Sequence, residues 1–281
     1  DLPLTYDGGA WPKNDSRVYN YSRTIFQGIV SSINAISANT LSRIGADTGF
    51  SFAKYNFQQN YLVDSYVSSN GTPMSDIAIA PLALGALTIG STVREVTAAY
   101  ATFANNGVIR TARTYTKVYD SDGKIVLDNQ QESQQILSEK AVNYMNYCLY
   151  NAANNGTGTV AVFPGQNIAG KTGTTSSNRD RWFAGYTKYY TAAVWCGYNQ
   201  PEQIYLTNNY QNPAGRLWKM VMQPIHNGLP NAALYNGNAF QNVNICLDSG
   251  KLATAACSAD VRGINRVVSV NCYPEDVPTE Y

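Results

Sequence analysis

The run Lys171-Thr172-Gly173-Thr174-Thr175 sets an ammonium, three hydroxyls and one bare backbone position in five consecutive residues, and the triplet that opens it occurs once in the chain. It continues Ile168-Ala169-Gly170, small and apolar residues that read as a strand, so the lysine falls near a strand end. Gly173 lets a ligand come close to the backbone. Charge and hydroxyls along a strand edge, beside free N–H groups, suit a substrate carboxylate and a developing oxyanion.

Other candidates for chemistry are weaker. His226 is the only histidine, so no site with two or three histidine ligands can be built, and its position in Met222-Gln223-Pro224-Ile225-His226-Asn227-Gly228 reads as a helix end, with a capping or surface role. Gly156-Thr157-Gly158-Thr159-Val160-Ala161 matches a dinucleotide fingerprint by its letters. It follows a helix rather than a strand, which leaves a flexible loop as its reading. Five cysteines stand at 148, 196, 246, 257 and 272 with no C-x-x-C spacing, so zinc ribbons lack support. Cys148 and Cys196 fall in helical and strand patterns as buried thiols. The last three lie in a loop-rich stretch that could hold a disulfide in an oxidising compartment, and the odd count leaves a spare thiol or a partner beyond Tyr281. No metal or cofactor site is expected.

The elements that must position these residues follow from the periodicity. Asp1 to Asn20 is punctuated by Pro and Gly and reads as an extended connector. Ser22 to Ile44 reads as one helix with Ile25, Ile29, Ile33, Ile36 and Leu41 near one face, broken at Gly45-Ala46-Asp47, with a short helix over Thr48 to Tyr55. Thr92 to Asn105 is a further helix ending at Asn106-Gly107, and Ile109 to Leu127 reads as a hairpin turning at Asp122-Gly123. Ser138 caps a helix that runs to about Asn154. Strands are predicted over Asn167–Thr172, Arg181–Thr187 and Thr191–Tyr198, paired antiparallel because their turns are short, before a last helix over Ala214–His226. The pattern is α+β. A main domain over 1–229 and a small β-rich extension over 230–281 are expected.

Composition narrows the function. The net charge is +1, without the basic surplus a nucleic-acid binder shows. Hydrophobic residues make up 44%, which excludes disorder. The longest apolar run, Ile77 to Gly90, carries Pro81 and is shorter than the roughly 20 residues a spanning helix needs.

The combination of S-x-x-K, an S-x-N type motif and K-T-G belongs to β-lactamases and penicillin-binding proteins. S-x-N begins at Ser32, Ser37, Ser68, Ser176 and Ser269, so context must choose among them. Ile25-Phe26-Gln27-Gly28-Ile29-Val30-Ser31-Ser32-Ile33-Asn34, followed further on by Ile44-Gly45, resembles the second motif region of class A penicillin-binding proteins. The resemblance extends over Pro81–Gly85, Ala98–Gly107, Lys171–Thr175 with Asp180–Tyr186, Val194–Tyr198, Leu217-Trp218-Lys219, Asp248–Ala253 and Pro278-Thr279-Glu280. It implies an antiparallel five-stranded sheet flanked by helices, completed in part by a segment outside this chain.

The resemblance also implies roles. The family reaction is acyl transfer: a serine attacks the carbonyl of a D-Ala-D-Ala stem peptide, D-alanine leaves, and a neighbouring amine resolves the acyl-enzyme, while β-lactams acylate the same serine. Lys171 would hold the substrate carboxylate, Ser32 would relay a proton to the leaving nitrogen, and Asn34 would hydrogen-bond the substrate amide. Thr172 and Thr174 would bind the carboxylate, with Gly173 and Thr175 beside them, and the Thr174 N–H would supply half of the oxyanion hole. The nucleophile of S-x-x-K should precede S-x-N, yet the two literal matches, Ser51-Phe52-Ala53-Lys54 and Ser121-Asp122-Gly123-Lys124, both follow Ser32. The expectation is a nucleophile upstream of Asp1, and therefore an upstream segment as a necessary partner, at the extracytoplasmic face of the bacterial membrane. A carboxypeptidase, a β-lactamase-type hydrolase and a non-catalytic peptidoglycan-binding homologue are the alternatives.

Overall fold

The computed structural model describes residues 1–6, 8–206 and 212–280. Its first twenty residues are not an extended connector. β1 (Leu4–Tyr6) pairs antiparallel with β2 (Gly9–Trp11), and the buried Asn14 behind them donates to Asp1 Oδ1 and to the Val18 carbonyl. Side-chain hydrogen bonds of this kind hold a short hairpin in place where periodicity gives no signal.

The helix predicted over 22–44 is two helices. Thr24 and Gln27 form a reciprocal capping box that starts α1 (Ile25–Val30), and α2 (Asn34–Ile44) begins after a break at residues 31–33. α3 (Ala46–Ser51) runs on into a π-helical turn over Phe52–Asn56. β3 (Tyr66–Val67) and β4 (Pro73–Met74) make an exposed hairpin ahead of α4 (Ile79–Leu84). Thr92 then caps α5 (Val93–Ala104) with its hydroxyl. β5 (Val108–Arg110) pairs not with its neighbour β6 (Lys117–Tyr119) but with β8 (Ser133–Gln135), enclosing the hairpin of β6 with β7 (Ile125–Asp128). The predicted turn at Asp122-Gly123 is therefore right, and the hairpin around it is shorter.

Ser138 caps α6 (Glu139–Asn154), as its sequence predicts. The central sheet is β9 (Ala169–Thr174), β10 (Asp180–Tyr186) and β11 (Thr191–Gly197), antiparallel in the order β11-β10-β9. Among the described residues it has three strands where five were expected, part of them from outside the chain. The other strands pair off in twos and none bonds to this sheet. α7 (Pro213–Ile225) lies on one face and α5 and α6 on the other, so the fold is α+β with helices on both sides.

Strand alternation divides the core between those faces. Ile168 and Phe183 pack with Ala153, Ala161, Phe163 and with Ala214, Trp218 and Met222 of α7. Ala169 and Tyr186 pack with Leu149 of α6 and with Tyr100, Phe103 and Ala104. Polar groups in both layers are matched: Trp218 Nε1 donates to the Ala192 carbonyl, and the Tyr186 hydroxyl to Asn146 Oδ1. His226 ends α7 as predicted, but it is buried rather than at the surface, with Nδ1 donating to Met222 O and Nε2 2.7 Å from the Thr187 hydroxyl.

In the last stretch β12 (Gln241–Cys246) pairs antiparallel with β13 (Val267–Cys272), and α8 (Ala255–Ser258) sits in the connection between them. Tyr144 and Tyr147 of α6 meet Phe240 and Tyr273 ring to ring, which seats this hairpin on the main body. Among the described residues no helix is long and apolar enough to cross a membrane.

Candidate active site

The break between α1 and α2 makes the site. Gly28 allows the two helices to approach closely, because a Cβ there would stand 2.6 Å from Ile36 Cγ2. The chain reverses by placing Ser32 in the left-handed region at φ 56°, with Ile33 N–H donating back to the Gly28 carbonyl at 2.9 Å. That conformation is uncommon for a residue with a Cβ and is worth notice when it coincides with a functional group. Asn14 Oδ1 accepts from the Ala35 N–H, and Asn34 Nδ2 donates to the Lys13 carbonyl at 2.9 Å, so the N-terminal segment pins the first turn of α2.

Lys171 reaches this turn from β9. Its Nζ donates to Ser32 Oγ at 2.8 Å and to the Thr172 carbonyl at 3.2 Å, across 139 residues of sequence in the first case. Surrounding protein excludes water from the ammonium and pulls its pKa down to about 8. Among the described residues no carboxylate forms an ion pair with it. A desolvated amine without a counter-ion is poised both to bind an anion and to exchange a proton with the hydroxyl it touches.

The direction of the remaining strand groups is set by one bond. Thr175 N–H donates to the Asp180 carbonyl at 3.2 Å. Antiparallel pairing alternates, so the N–H groups of Thr174 and Thr172 turn to the other edge of β9, which pairs with no strand among the described residues. The Lys171 amine bonds the Thr172 carbonyl on that same edge. Free donors, a cation and a hydroxyl thus share one strip of surface.

Supports surround it. Thr172 Oγ1 lies 2.8 Å from Thr157 Oγ1. Thr174 Oγ1 accepts from Arg181 Nη1 at 3.3 Å, and Arg181 Nε is buried with no hydrogen-bond partner among the described residues. Asp180 accepts from the Thr175 hydroxyl at 2.7 Å and from Trp195 Nε1 at 2.8 Å, which fixes the turn after β9. Gly173 faces Trp182, whose Cβ would be 3.0 Å from a Cβ at that position.

Of the predicted residues, then, Ser32 and Lys171 meet directly, Thr172 and Thr174 present their N–H groups on the adjoining edge, and Gly173 and Thr175 turn toward β10. Asn34 lies two residues after Ser32, at the start of α2, and gives its amide to the Lys13 carbonyl. The two literal S-x-x-K matches lie elsewhere in the fold: Ser51 ends α3 with Lys54 bonded to the Leu62 carbonyl, and Ser121 sits in the β6–β7 turn. Sequence reasoning missed Thr157 and Arg181. The first hid in a loop dismissed as flexible; the second carried a signal, a cation directly across the ladder from Thr174.

A family description, penicillin binding protein transpeptidase domain, matches residues 3–223. The chain is 31% identical over 272 residues to Penicillin-binding protein 1A of Clostridium botulinum, covering 96% of this chain and 31% of that protein. It is 32% identical to Penicillin-binding protein 1F of Bacillus subtilis, covering 76% and 29%. The crystal structure of Penicillin-Binding Protein 1A from Haemophilus influenzae superposes with a TM-score of 0.70 at 18% identity, covering 99% of this chain and 44% of that one. PonA1 from Mycobacterium tuberculosis in complex with penicillin V gives 0.65 at 20% identity, covering 83% and 64%. The chain belongs to the penicillin-binding protein transpeptidase family, in keeping with the class A resemblance of its motifs. It spans about a third of the length of these curated relatives.

Proposed function

We propose that this chain is the C-terminal part of a D,D-transpeptidase domain that cross-links peptidoglycan stem peptides by serine acyl transfer and is inhibited by β-lactams. The observation that carries the reading is the 2.8 Å contact between the Lys171 ammonium and Ser32, where surrounding protein holds the amine near pKa 8 with no acidic partner among the described residues. A serine from an S-x-x-K segment upstream of Asp1 would attack the penultimate D-alanine carbonyl. The Thr174 N–H would stabilise the oxyanion together with the serine's own N–H. Lys171, with the Thr172 and Thr174 hydroxyls, would hold the terminal carboxylate. Ser32 would pass a proton to the departing nitrogen and recover one through Lys171. Asn34 would offer its side-chain oxygen to the substrate N–H. Gly173 and Thr175 would keep the edge open and its turn fixed. The site would face the extracytoplasmic side of the bacterial membrane, held there by an upstream anchor.

The test pairs the 281-residue chain with an upstream segment bearing S-x-x-K and adds a fluorescent penicillin. The expected adduct maps to that segment by intact-mass analysis, and the chain alone remains unlabelled. An adduct on Ser32, Ser51 or Ser121 would overturn the assignment. A D-Ala-D-Ala peptide with an amine acceptor separates the readings: cross-linked dimer supports the transpeptidase, free acid the hydrolase, and no turnover the binding homologue.

A further inference from the structure

The three cysteines of the C-terminal stretch are separated by their places in the fold. Cys246 ends β12 and Cys272 ends β13, and the register sets Cys246 opposite Val267 and Cys272 opposite Gln241. These two thiols therefore stand at opposite ends of the ladder, about 17 Å apart at the usual strand rise. Disulfide-bonded Cα atoms lie about 4.4–6.8 Å apart, so this pair is excluded. Cys257 is placed differently. Its carbonyl accepts from the Arg266 N–H at 2.9 Å, and the Arg266 carbonyl accepts from the Leu247 N–H at 2.8 Å. Two hydrogen bonds thus tie Cys257 to the residue that follows Cys246, and the Cys257 thiol is close enough to the Cys246 sulfur to help lower its pKa. Cys148 and Cys196 belong to α6 and β11, outside the β12–β13 hairpin, and all five cysteines are free thiols in the structure.

We propose that Cys246 and Cys257 form an intramolecular disulfide that staples the turn at 247–251 and α8 to the end of β12. The inference stands apart from the transpeptidase reading, since it needs only this hairpin and an oxidising compartment. The oxidant is a disulfide, either of a small molecule or of a thiol oxidoreductase. Cys246 thiolate attacks one sulfur of that disulfide, forming a mixed disulfide and releasing one thiolate. Cys257 thiolate then attacks Cys246 Sγ, closing the ring and releasing the second thiolate; two electrons pass to the oxidant and two protons to solvent. The local backbone favours Cys246 as the first nucleophile. N–H groups of Ser249 and Asp248 point at its sulfur, with Cys257 beside them, and pull its pKa to about 7. The turn that presents these donors is closed by Cys246 N–H to Lys251 O and Gly250 N–H to Cys246 O, both 2.8 Å.

The full chain, incubated with oxidised glutathione, blocked with a maleimide and digested with trypsin, tests the proposal. Trypsin cleaves after Lys251, so the expected product is a two-chain peptide carrying Cys246 and Cys257 that parts on reduction, with Cys148, Cys196 and Cys272 alkylated. The same product should form in Cys272→Ser and be lost in Cys257→Ser. Closing so short a loop corresponds to about a hundred-fold in the folding equilibrium of the hairpin, so hydrogen exchange at the Leu247 and Arg266 amides should slow on oxidation by up to that factor. Alkylation of all five cysteines after oxidation, a link through Cys272, or unchanged exchange in the linked protein would overturn it.

Discussion

Ser32 combines a functional hydroxyl with a left-handed backbone that costs an L-residue about 1–2 kcal/mol. Glycine escapes that cost and alanine does not. Ser32→Gly should therefore be more stable than Ser32→Ala by about 1 kcal/mol in urea denaturation, while both lose β-lactam acylation when the upstream segment is supplied. Equal stabilities would show that the turn is unstrained. Lys171 gives a second test. Its folded pKa of about 8 lies below the unfolded value of about 10.4, so between those pH values the unfolded chain holds a proton that the folded chain has released. Stability from this group rises with pH across that window. Lys171→Met should flatten the rise and increase stability at pH 7, read as denaturant midpoints at pH 7 and 9.5. A bound carboxylate reverses the bias by favouring the ammonium, so affinity for a D-Ala-D-Ala peptide should fall as pH climbs past about 8. The K-T-G run was legible because three chemistries coincide in it. Ser32 was one of five letter matches, and only the likeness of its flanks to a family chose it, since backbone φ leaves no trace in residue types.

At the scale of elements, the helix expected over 22–44 shows what periodicity conceals. Apolar residues keep their helical spacing across residues 31–33, from Ile29 through Ile33 to Ile36, so the pattern reads through the break that exposes Ser32. The loop after α6 was likewise read as flexible, because it follows a helix rather than a strand. Its glycines are there for contact. A Cβ at Gly156 would stand 2.2 Å from the Val30 carbonyl and 2.9 Å from that of Ala152, and Thr157 then bonds Thr172. Backbone oxygens on two helices cannot swing aside as a flexible side chain does. Gly156→Ala is expected to cost about 1–3 kcal/mol and to slow acylation beyond that loss, by displacing α1 and with it Ser32. Gly237→Ala, whose nearest neighbour would be Tyr235 at 3.6 Å, is the control and should stay within about 0.5 kcal/mol. The antiparallel run of β9 to β11 was legible from its short turns, whereas the pairing of β5 with β8 was not, because it spans a whole intervening hairpin.

At the scale of the molecule, the seat of the C-terminal hairpin on α6 has two components that differ in strength. Lys140 reaches Asp276 at 2.6 Å and Glu275 at 3.1 Å, and all three groups are solvent-exposed. Such pairs contribute about 0–1 kcal/mol and weaken with salt. Beside them Phe240 meets Tyr144, Tyr147, Tyr235 and Tyr273 with ring centroids 5.3–6.3 Å apart, and Tyr144 meets Tyr273 at 5.2 Å. Aromatic pairs are worth about 0.5–1.5 kcal/mol each beyond their buried area, though not additively. The rings should therefore dominate. Lys140→Met is expected to leave the denaturation midpoint nearly unchanged and to remove most of the salt dependence of this seat. Phe240→Ala should cost about 2–3 kcal/mol, somewhat below a fully buried phenylalanine because Phe240 is only half-buried. Tyr144 links the two components: its hydroxyl donates to Asp276 Oδ2 at 2.7 Å and accepts from the Tyr273 N–H at 2.8 Å, and desolvation together with that carboxylate pushes its pKa up to about 12. Tyr144→Phe keeps the ring and loses both bonds, so its cost should fall between those of the other two variants. A larger loss from Lys140→Met than from Phe240→Ala, in paired denaturation curves at low and high salt, would show that charge rather than ring packing seats the hairpin.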